Sequence, residues 1–172
     1  MRSITKIFLA LSLIFSLSAC GYGSVPHTAT MAPAGSGADV VLGDLKIQEV
    51  LVISDGTNAV LTAVIINSSL EVETLVGASV DGHLVEFVDT TSGAPVVMDG
   101  IAIAPRSSTS ISFTAPLGAL LNKTDAALPT VGAISKVQFS FSESGFVKTD
   151  ALVFANTEMY ESVDPSAFAA AS

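Results

Sequence analysis

The feature that most constrains the fold of this chain is an alternation of apolar and polar residues with a period of two. It is clearest in KVQFSFS, Lys136–Ser142, where Val137, Phe139 and Phe141 fall on one face. The run AVLTAVII, Ala59–Ile66, is apolar almost throughout, as in a strand buried on both faces. A period of two belongs to a β-strand, whereas a helix repeats every 3.6 residues. The sequence therefore predicts an all-β domain.

Further segments of strand composition follow at short intervals, which predicts a cupredoxin-like or immunoglobulin-like β-sandwich or barrel of about eight to nine short strands. These segments are Leu45–Val52, Leu75–Val80, Leu84–Asp89, Ala94–Met98, Ile101–Ala104, Thr109–Thr114 and Phe146–Phe154. In the Thr109–Thr114 segment, Ile111 and Phe113 are expected to share a face. Tight turns are predicted at four pairs, which are Asp55-Gly56, Asp81-Gly82, Asp99-Gly100 and Ser144-Gly145. The longest interruption, Pro116–Thr130, is expected to form a loop with a helical turn around LGALLNK.

The N-terminus carries the pattern of a bacterial lipoprotein signal. Arg2 and Lys6 precede the apolar run Ile7–Leu17, which is too short to span a bilayer comfortably, and the next residues complete LSAC, Leu17–Cys20, which resembles a lipobox. The resemblance implies that diacylglycerol is attached to the Cys20 thiol and that the chain is cleaved before it. The alternatives are an ordinary secretory signal with a chance cysteine, or a core cysteine. A disulfide within the chain is excluded because Cys20 is the only cysteine.

This signal predicts four segments along the chain. Residues 1–19 are the signal peptide, 20–38 a flexible tether rich in Gly, Ser, Pro, Ala and Thr, 39–155 the β-domain and 156–172 a disordered tail. The expected location is the extracytoplasmic face of the cell membrane, with the lipid anchor on Cys20 as the contact with the bilayer.

Charge and composition exclude some classes of partner. Loss of Arg2 and Lys6 with the signal leaves five basic residues against 16 acidic ones, a formal charge of −11. Nucleic-acid binders carry basic patches, so nucleic acid is excluded as a partner. The same charge opposes electrostatic adhesion to anionic lipid, so the acyl anchor must hold the protein at the membrane. The absence of Trp and the 6% aromatic content disfavour surfaces that stack sugars or bases.

The candidates for catalysis are few, and we predict that the protein is not an enzyme. His27 lies in the tether, where no geometry is fixed, and His83 follows a turn and is expected to be exposed. Glu71 and Glu73 are two residues apart, and we interpret them as a solvated acidic rim rather than as an acid–base pair. The sequence contains no Gly-rich phosphate loop and no spacing typical of zinc ligands. An envelope enzyme with a carboxylate-based site is the least favoured alternative.

The segment AVLTAVIINSSLEVETLVGASVDGHLVEFVDT, Ala59–Thr90, resembles the secreted copper-chaperone family called PCuAC, and also the divergent actinobacterial lipoproteins assigned to that family. The resemblance extends over about Leu45–Val153 by order of elements. Ile65, Ile66 and Asn67 match the family's strand YltitN, and Glu73, Leu75, Val76, Gly77 and Ser79 match an acidic residue followed by LvgvsS. Further along the chain, Met98–Ser108 matches egieIPag, and VQFSFSESGFVKTDALV matches the closing hairpin.

The resemblance implies a position for a metal. The family holds Cu(I) with a His, a Met further along the chain and then a His-x-Met pair, since soft thioethers and imidazoles suit that ion. Alignment of VEFVDT with the family's veLHet places Val88 where the first His belongs, and Met98 lies where the first Met falls. The pair should lie near Pro116–Asn122, which contains neither His nor Met.

Two hypotheses follow for the function. The first is a membrane-anchored lipoprotein whose copper-chaperone-like domain lacks most of its metal ligands and has a non-enzymatic binding or structural role towards an unknown envelope protein. The second is an extracytoplasmic Cu(I) chaperone with other ligands, such as Met98, His83 and acidic side chains. His27 and Met31 in the tether form a further, weaker pair of candidate ligands.

Overall fold

The computed structural model of the protein describes residues 37–112, 117–121, 128–157 and 160. These residues form twelve β-strands, which are β1 Ala38–Leu42, β2 Leu45–Ser54, β3 Ala59–Asn67, β4 Glu73–Val80, β5 His83–Leu84, β6 Glu86–Asp89, β7 Val96–Met98, β8 Ile101–Ile103, β9 Ser107–Ile111, β10 Leu117–Leu121, β11 Ile134–Phe141 and β12 Gly145–Ala155. In this part of the chain, no helix has the length and apolar character needed to cross a membrane.

One curled sheet contains all of these strands, in the order β5-β4-β11-β12-β2-β3-β10-β6-β7. Outside this path, β1 pairs with β2, β8 with β4 and β9 with β3. Neighbours along the path are antiparallel except β12 and β2, which run parallel. The prediction of an all-β sandwich or barrel is confirmed.

The inner face of the curled sheet holds the main core because alternate residues of each strand point inward. In β11, Val137, Phe139 and Phe141 are buried, as the alternation predicted, and each contributes to this core. β3 lies inside the sheet between β2 and β10, which agrees with the apolar run that predicted a central strand. Phe113, which was expected to share a face with Ile111, lies outside the described residues, as do the signal peptide and almost all of the predicted tether and tail.

The described strands outnumber the predicted eight to nine for three reasons. The predicted strand Leu84–Asp89 is divided at Val85 into β5 and β6. β1 was not predicted: only Ala38 of it falls in the predicted tether, and its other residues belong to the predicted domain without having been recognised as a strand. β10 lies in Pro116–Thr130, so the helical turn predicted around LGALLNK is wrong for its first residues, Leu117–Leu121. A short apolar run does not distinguish strand from helix by its period, and here pairing with β3 and β6 decides the outcome.

The Asp-Gly turns differ from one another. Asp81 and Gly82 both have positive φ values, 51° and 87°, so the β4–β5 hairpin has the two-residue turn that the sequence predicted. By contrast, Asp99-Gly100 is not a hairpin turn, because β7 pairs with β6 whereas β8 pairs with β4. Gly100 instead allows its backbone to pass close to β4, since a Cβ atom at position 100 would lie only 2.9 Å from the carbonyl oxygen of Leu75.

Replacement of Gly100 with alanine is therefore expected to destabilise the protein by about 1–3 kcal/mol, because the added methyl group meets a backbone oxygen that cannot rotate away. Gly77→Ala is the matched control: Gly77 lies in β4, the strand that Gly100 approaches, but nothing lies within 4 Å of a Cβ atom built there. Urea denaturation of both variants measures the difference. Equal stabilities for the two alanine variants would contradict this role of Gly100.

Candidate functional site

The position that the PCuAC resemblance assigns to the first metal ligand lies in β6. Val88 faces Gly118 of β10 on one side and Val97 of β7 on the other. Its side chain is fully buried, at 0% exposure, and packs with Val60 and Leu120. This apolar cluster, Val60, Val88 and Leu120, lies on the outer face of the sheet, because the residues that alternate with it point into the main core.

Met98, the first candidate thioether, lies on the opposite face. It is the cross-strand partner of Phe87, and directly opposed residues of two strands share a face. Phe87 belongs to the main core and Met98 packs against that core, half-buried. Since Phe87 and Val88 are consecutive in one strand, Met98 and the side chain at position 88 point to opposite sides of the sheet.

His83, the second candidate ligand, lies half-buried in the β4–β5 hairpin, opposite Val80. β5 and β7 are the first and last strands in the order of the sheet, so His83 and Met98 belong to different hairpins. Among the described residues, no group of three or more His, Cys, Asp or Glu side chains is placed to hold a metal ion. His27, Met31 and the predicted lipidation site Cys20 lie outside the described residues.

The residues at the position of Val88 do not fit the Cu(I) site that the resemblance implies. Cu(I) needs several soft donors converging on one point, and Val60, Val88 and Leu120 offer only hydrocarbon. The His and Met side chains that the structure describes, His83 and Met98, come from separate hairpins. The outer-face position is therefore a small second core rather than a ligand set.

Glu73 was interpreted as part of a solvated acidic rim, and that interpretation is wrong. Its side chain is buried, at 5% exposure, at the start of β4. Oε1 accepts hydrogen bonds from the Ser142 hydroxyl at 2.7 Å, from the N–H of Thr74 at 2.8 Å and from the N–H of Glu143 at 3.2 Å. Oε2 accepts two more from Ser144, from the hydroxyl at 2.6 Å and from the N–H at 3.0 Å. The carboxylate thus holds the β11–β12 turn against β4.

These donors determine the ionisation of the buried acid. Burial by itself raises the pKa of the Glu73 carboxyl, but the hydrogen bonds from the Ser144 and Ser142 hydroxyls and from the Thr74 and Glu143 N–H groups outweigh it. Together they lower the pKa from 4.5 to about 2. Glu71, two residues earlier, is exposed, so the two carboxylates do not form an acid–base pair. The role of Glu73 is structural.

Asn67 is a second buried polar residue whose role the sequence did not reveal. Its side-chain Nδ2 donates to the carbonyl oxygens of Glu71, at 2.8 Å, and of Ile103, at 3.3 Å, while Oδ1 accepts from the N–H of Ser69 at 2.9 Å. Asn67 therefore joins the end of β3 to β8 and orders the loop that leads to Glu73. The motif IIN located it in the sequence, but no local pattern showed that its amide would be buried.

Comparison with known proteins identifies the fold. Neither a protein-family model nor a curated protein matches the chain. Among solved structures, the copper-bound PCuAC domain from PmoF2 is similar with a TM-score of 0.58 and 23% identity, and covers 69% of this chain and 98% of its own length. The apo PmoF2 PCuAC domain gives a TM-score of 0.59 at 21% identity over 70% of this chain and 98% of that one. The apo PCuAC domain from PmoF1 gives 0.56 at 20% identity over 69% and 99%. The chain therefore contains a domain with the PCuAC fold.

Proposed function

We propose that this protein is an extracytoplasmic lipoprotein that presents a PCuAC-type domain as a non-enzymatic binding module and has lost the copper site of that fold. The diacylglyceryl anchor on Cys20 holds it at the membrane, and its partner is a component of the cell envelope. The observation that carries the proposal is the fully buried cluster of Val60, Val88 and Leu120 at the position where the resemblance places a metal ligand.

The chemistry of this cluster supports the loss of copper. Three branched apolar side chains in mutual contact stabilise the outer face of β3, β10 and β6 by the hydrophobic effect, at about 1.5–3 kcal/mol for each fully buried side chain. A histidine at position 88 would instead need a polar partner in the same space. The cluster therefore keeps the fold stable without a metal.

The proposal is tested by titration of the mature protein, in detergent and under reducing conditions, with Cu(I) buffered by a competing chelator. We expect no copper to be withdrawn from the chelator by the domain. A variant carrying His27→Ala and Met31→Leu separates any weak capture by the tether from binding by the domain. Copper binding that persists in this variant at one ion per protein would contradict the proposal.

The alternative function, a Cu(I) chaperone with other ligands, is favoured by one observation, the similarity to the copper-bound domain from PmoF2. It predicts one-to-one binding that is abolished by Met98→Leu or His83→Gln. Leucine conserves the volume of methionine against the core, so Met98→Leu removes the thioether with little effect on stability. Loss of binding without loss of stability in that variant would identify Met98 as a copper ligand and would favour this alternative.

A further inference from the structure

The β11–β12 hairpin presents apolar side chains to solvent on its outer face. Ile134 and Leu152 are directly opposed across the two strands and are 67% and 43% exposed, and Phe146, at the other end of β12, is 62% exposed. Val131, in the turn before β11, is also exposed, and the neighbouring Gly132 N–H donates to the carbonyl oxygen of Val153. The directly opposed Ile134 and Leu152 form an exposed apolar pair of the kind found where a protein surface contacts a partner or a membrane.

Two lysines lie between these apolar ends. Lys136 is opposite Asp150 and forms an ion pair with it at 3.4 Å, and Lys148 is opposite Gln138. The Nζ atom of Lys148 lies 5.9 Å from the ring centroid of Phe146. Two of the five basic residues that remain after Cys20 thus lie on this face, and Asp150 is the only acidic residue in the outward-facing positions of β11 and β12.

The lysines also border a pocket of about 300 Å³, lined by Ser79, Asp81, Gly82, Lys136, Val137, Gln138 and Lys148. Ser79 and Gln138 provide a hydroxyl and an amide beside the two ammonium groups, and Asp81 already accepts the N–H of Lys136. Apolar side chains flanking basic ones are the composition of surfaces that lie at a membrane interface, where the chains enter the acyl boundary and the lysines meet phosphates.

The point where the chain enters the domain lies next to this face. Gly37 lines a pocket together with Leu51, and Leu51 is the cross-strand partner of Leu152. Gly37 is packed so closely on Glu49 that a Cβ atom there would lie 2.4 Å from the carbonyl carbon of that residue. The described part of the chain thus begins beside Leu51, one strand away from Leu152.

The length of the tether limits how the domain meets the bilayer. Sixteen residues lie between Cys20 and Gly37, and the tether that the sequence predicts for them corresponds to a root-mean-square span of about 23 Å. A domain of this size is about 35 Å across. Because this span is shorter than the width of the domain, we expect the side that carries Gly37 to stay close to the membrane. The anchor thereby holds that side at a high effective concentration relative to the lipid surface, so a weak contact is enough to orient the domain.

We propose that the hairpin face, defined as Val131, Ile134, Lys136, Phe146, Lys148 and Leu152, lies against the phospholipid surface and orients the anchored domain on the membrane. The apolar residues enter the interface, and the two lysines and Gln138 meet lipid phosphodiesters. This orientation leaves the strands at the other end of the sheet, β6 and β7, open to the envelope. The proposal rests on the proposed anchor at Cys20, and it adds a local contact that the overall charge of −11 does not predict.

The test uses the full lipidated protein in vesicles that contain phosphatidylglycerol and acyl-spin-labelled lipid. A bimane probe is attached to a cysteine introduced by Leu152→Cys or Phe146→Cys, and by Val96→Cys as the control, since Val96 is 54% exposed on β7, the last strand in the order of the sheet. Cys20 is consumed by its thioether, so the introduced thiol alone reacts. We expect quenching several-fold stronger at positions 152 and 146 than at 96. Equal quenching at the three positions, or the strongest at 96, would overturn the proposal.

Variants that remove the two lysine charges provide a second test of the proposed membrane contact. Lys136→Gln with Lys148→Gln is expected to weaken the membrane contact by about fivefold for each lysine, because each basic group near an anionic surface contributes separately. Arg106→Gln, in the β8–β9 turn, is the matched control and should leave quenching unchanged. These positions are exposed, so urea midpoints near that of the parent protein confirm folding. An unchanged signal in the lysine variant would refute the role of the two lysines.

Two further measurements distinguish failure of the lipid anchor on Cys20 from failure of the contact between the hairpin face and the membrane. The intact mass of the purified protein shows whether Cys20 carries the lipid, so failure of the anchor is distinguished from failure of the face. If the anchor is absent, the same probes in a Cys20→Ser background test whether the hairpin face binds added vesicles. Protection of positions 146 and 152 in native membranes but not in protein-free vesicles would reject the bilayer and identify a protein partner on this face.

Discussion

Replacement of Glu73 with glutamine is expected to lower the free energy of unfolding by about 2–3 kcal/mol at neutral pH, because a buried, hydrogen-bonded carboxylate loses its charge and half of its acceptors. The carboxylate accepts five hydrogen bonds from Thr74, Ser142, Glu143 and Ser144. Glutamine has one carbonyl oxygen and one NH2 group. Whichever way the amide is turned, its NH2 group faces backbone N–H donors, either that of Ser144 or those of Thr74 and Glu143. The turn between β11 and β12 is then no longer held against β4.

The same residue makes stability depend on pH. The pKa of Glu73 is about 2 in the folded protein and 4.5 in its ordinary state, so the folded state binds its proton less readily than the unfolded state does. The stability from this group is fully present above about pH 4.5 and is lost as the pH falls towards 2. With allowance for solvent screening near the end of the sheet, this contribution is about 2 kcal/mol.

Urea denaturation of the parent and Glu73→Gln proteins between pH 7 and pH 2.5 measures both effects. We expect the difference in unfolding free energy to be constant from pH 7 to pH 5 and to shrink below that. Glu71→Gln is the control, since that exposed side chain lies two residues away and should change stability by less than about 0.5 kcal/mol. A difference for Glu73→Gln that does not depend on pH would contradict the assignment of the stabilisation to the ionised carboxylate.

The sequence predicted those parts of the fold that local pattern determines. Alternation in β11 follows from burial of one face, and Asp81-Gly82 forms its turn because both residues adopt positive φ. Leu117–Leu121 was not recognised as a strand because its pairing with β3 and β6 is a long-range event that five apolar residues do not encode. Asp99-Gly100 has the composition of a hairpin turn, but the chain there passes from one strand pairing to another.

The resemblance assigned Val88 and the segment Pro116–Asn122 to positions of one ligand set, and in the structure β6 pairs with β10. The sequence did not show that Val88 and Met98 face opposite sides of the sheet, because a shift of one residue in the register of β6 and β7 reverses every side chain. Nor did it show that Glu73 is buried, since the serines that satisfy its carboxylate lie about 70 residues later in the chain.

Replacement of Cys20 with alanine is expected to abolish lipid attachment completely, the largest effect predicted for a single change in this protein. The thioether requires a thiol, and Cys20 is the only cysteine of the chain. Metabolic labelling with an alkyne fatty acid followed by gel analysis should give a labelled band for the parent protein and none for Cys20→Ala. His27→Ala, in the predicted tether, is the control and should remain labelled.

The same variant distinguishes the two signals that Leu17–Cys20 can encode. A lipobox requires the modified cysteine before the chain is cut, so Cys20→Ala should accumulate as a precursor that keeps residues 1–19, visible as a higher mass. An ordinary secretory signal would be cleaved with alanine at position 20, and the product would leave the membrane. A processed Cys20→Ala protein that stays in the membrane fraction would contradict the anchor, because attachment at Cys20 would then not be what retains the protein at the membrane.

The contact made by the hairpin face is weak in a protein without the lipid anchor. It should therefore not retain the protein by itself through high-salt washing, because salt screens the charges of the lysines.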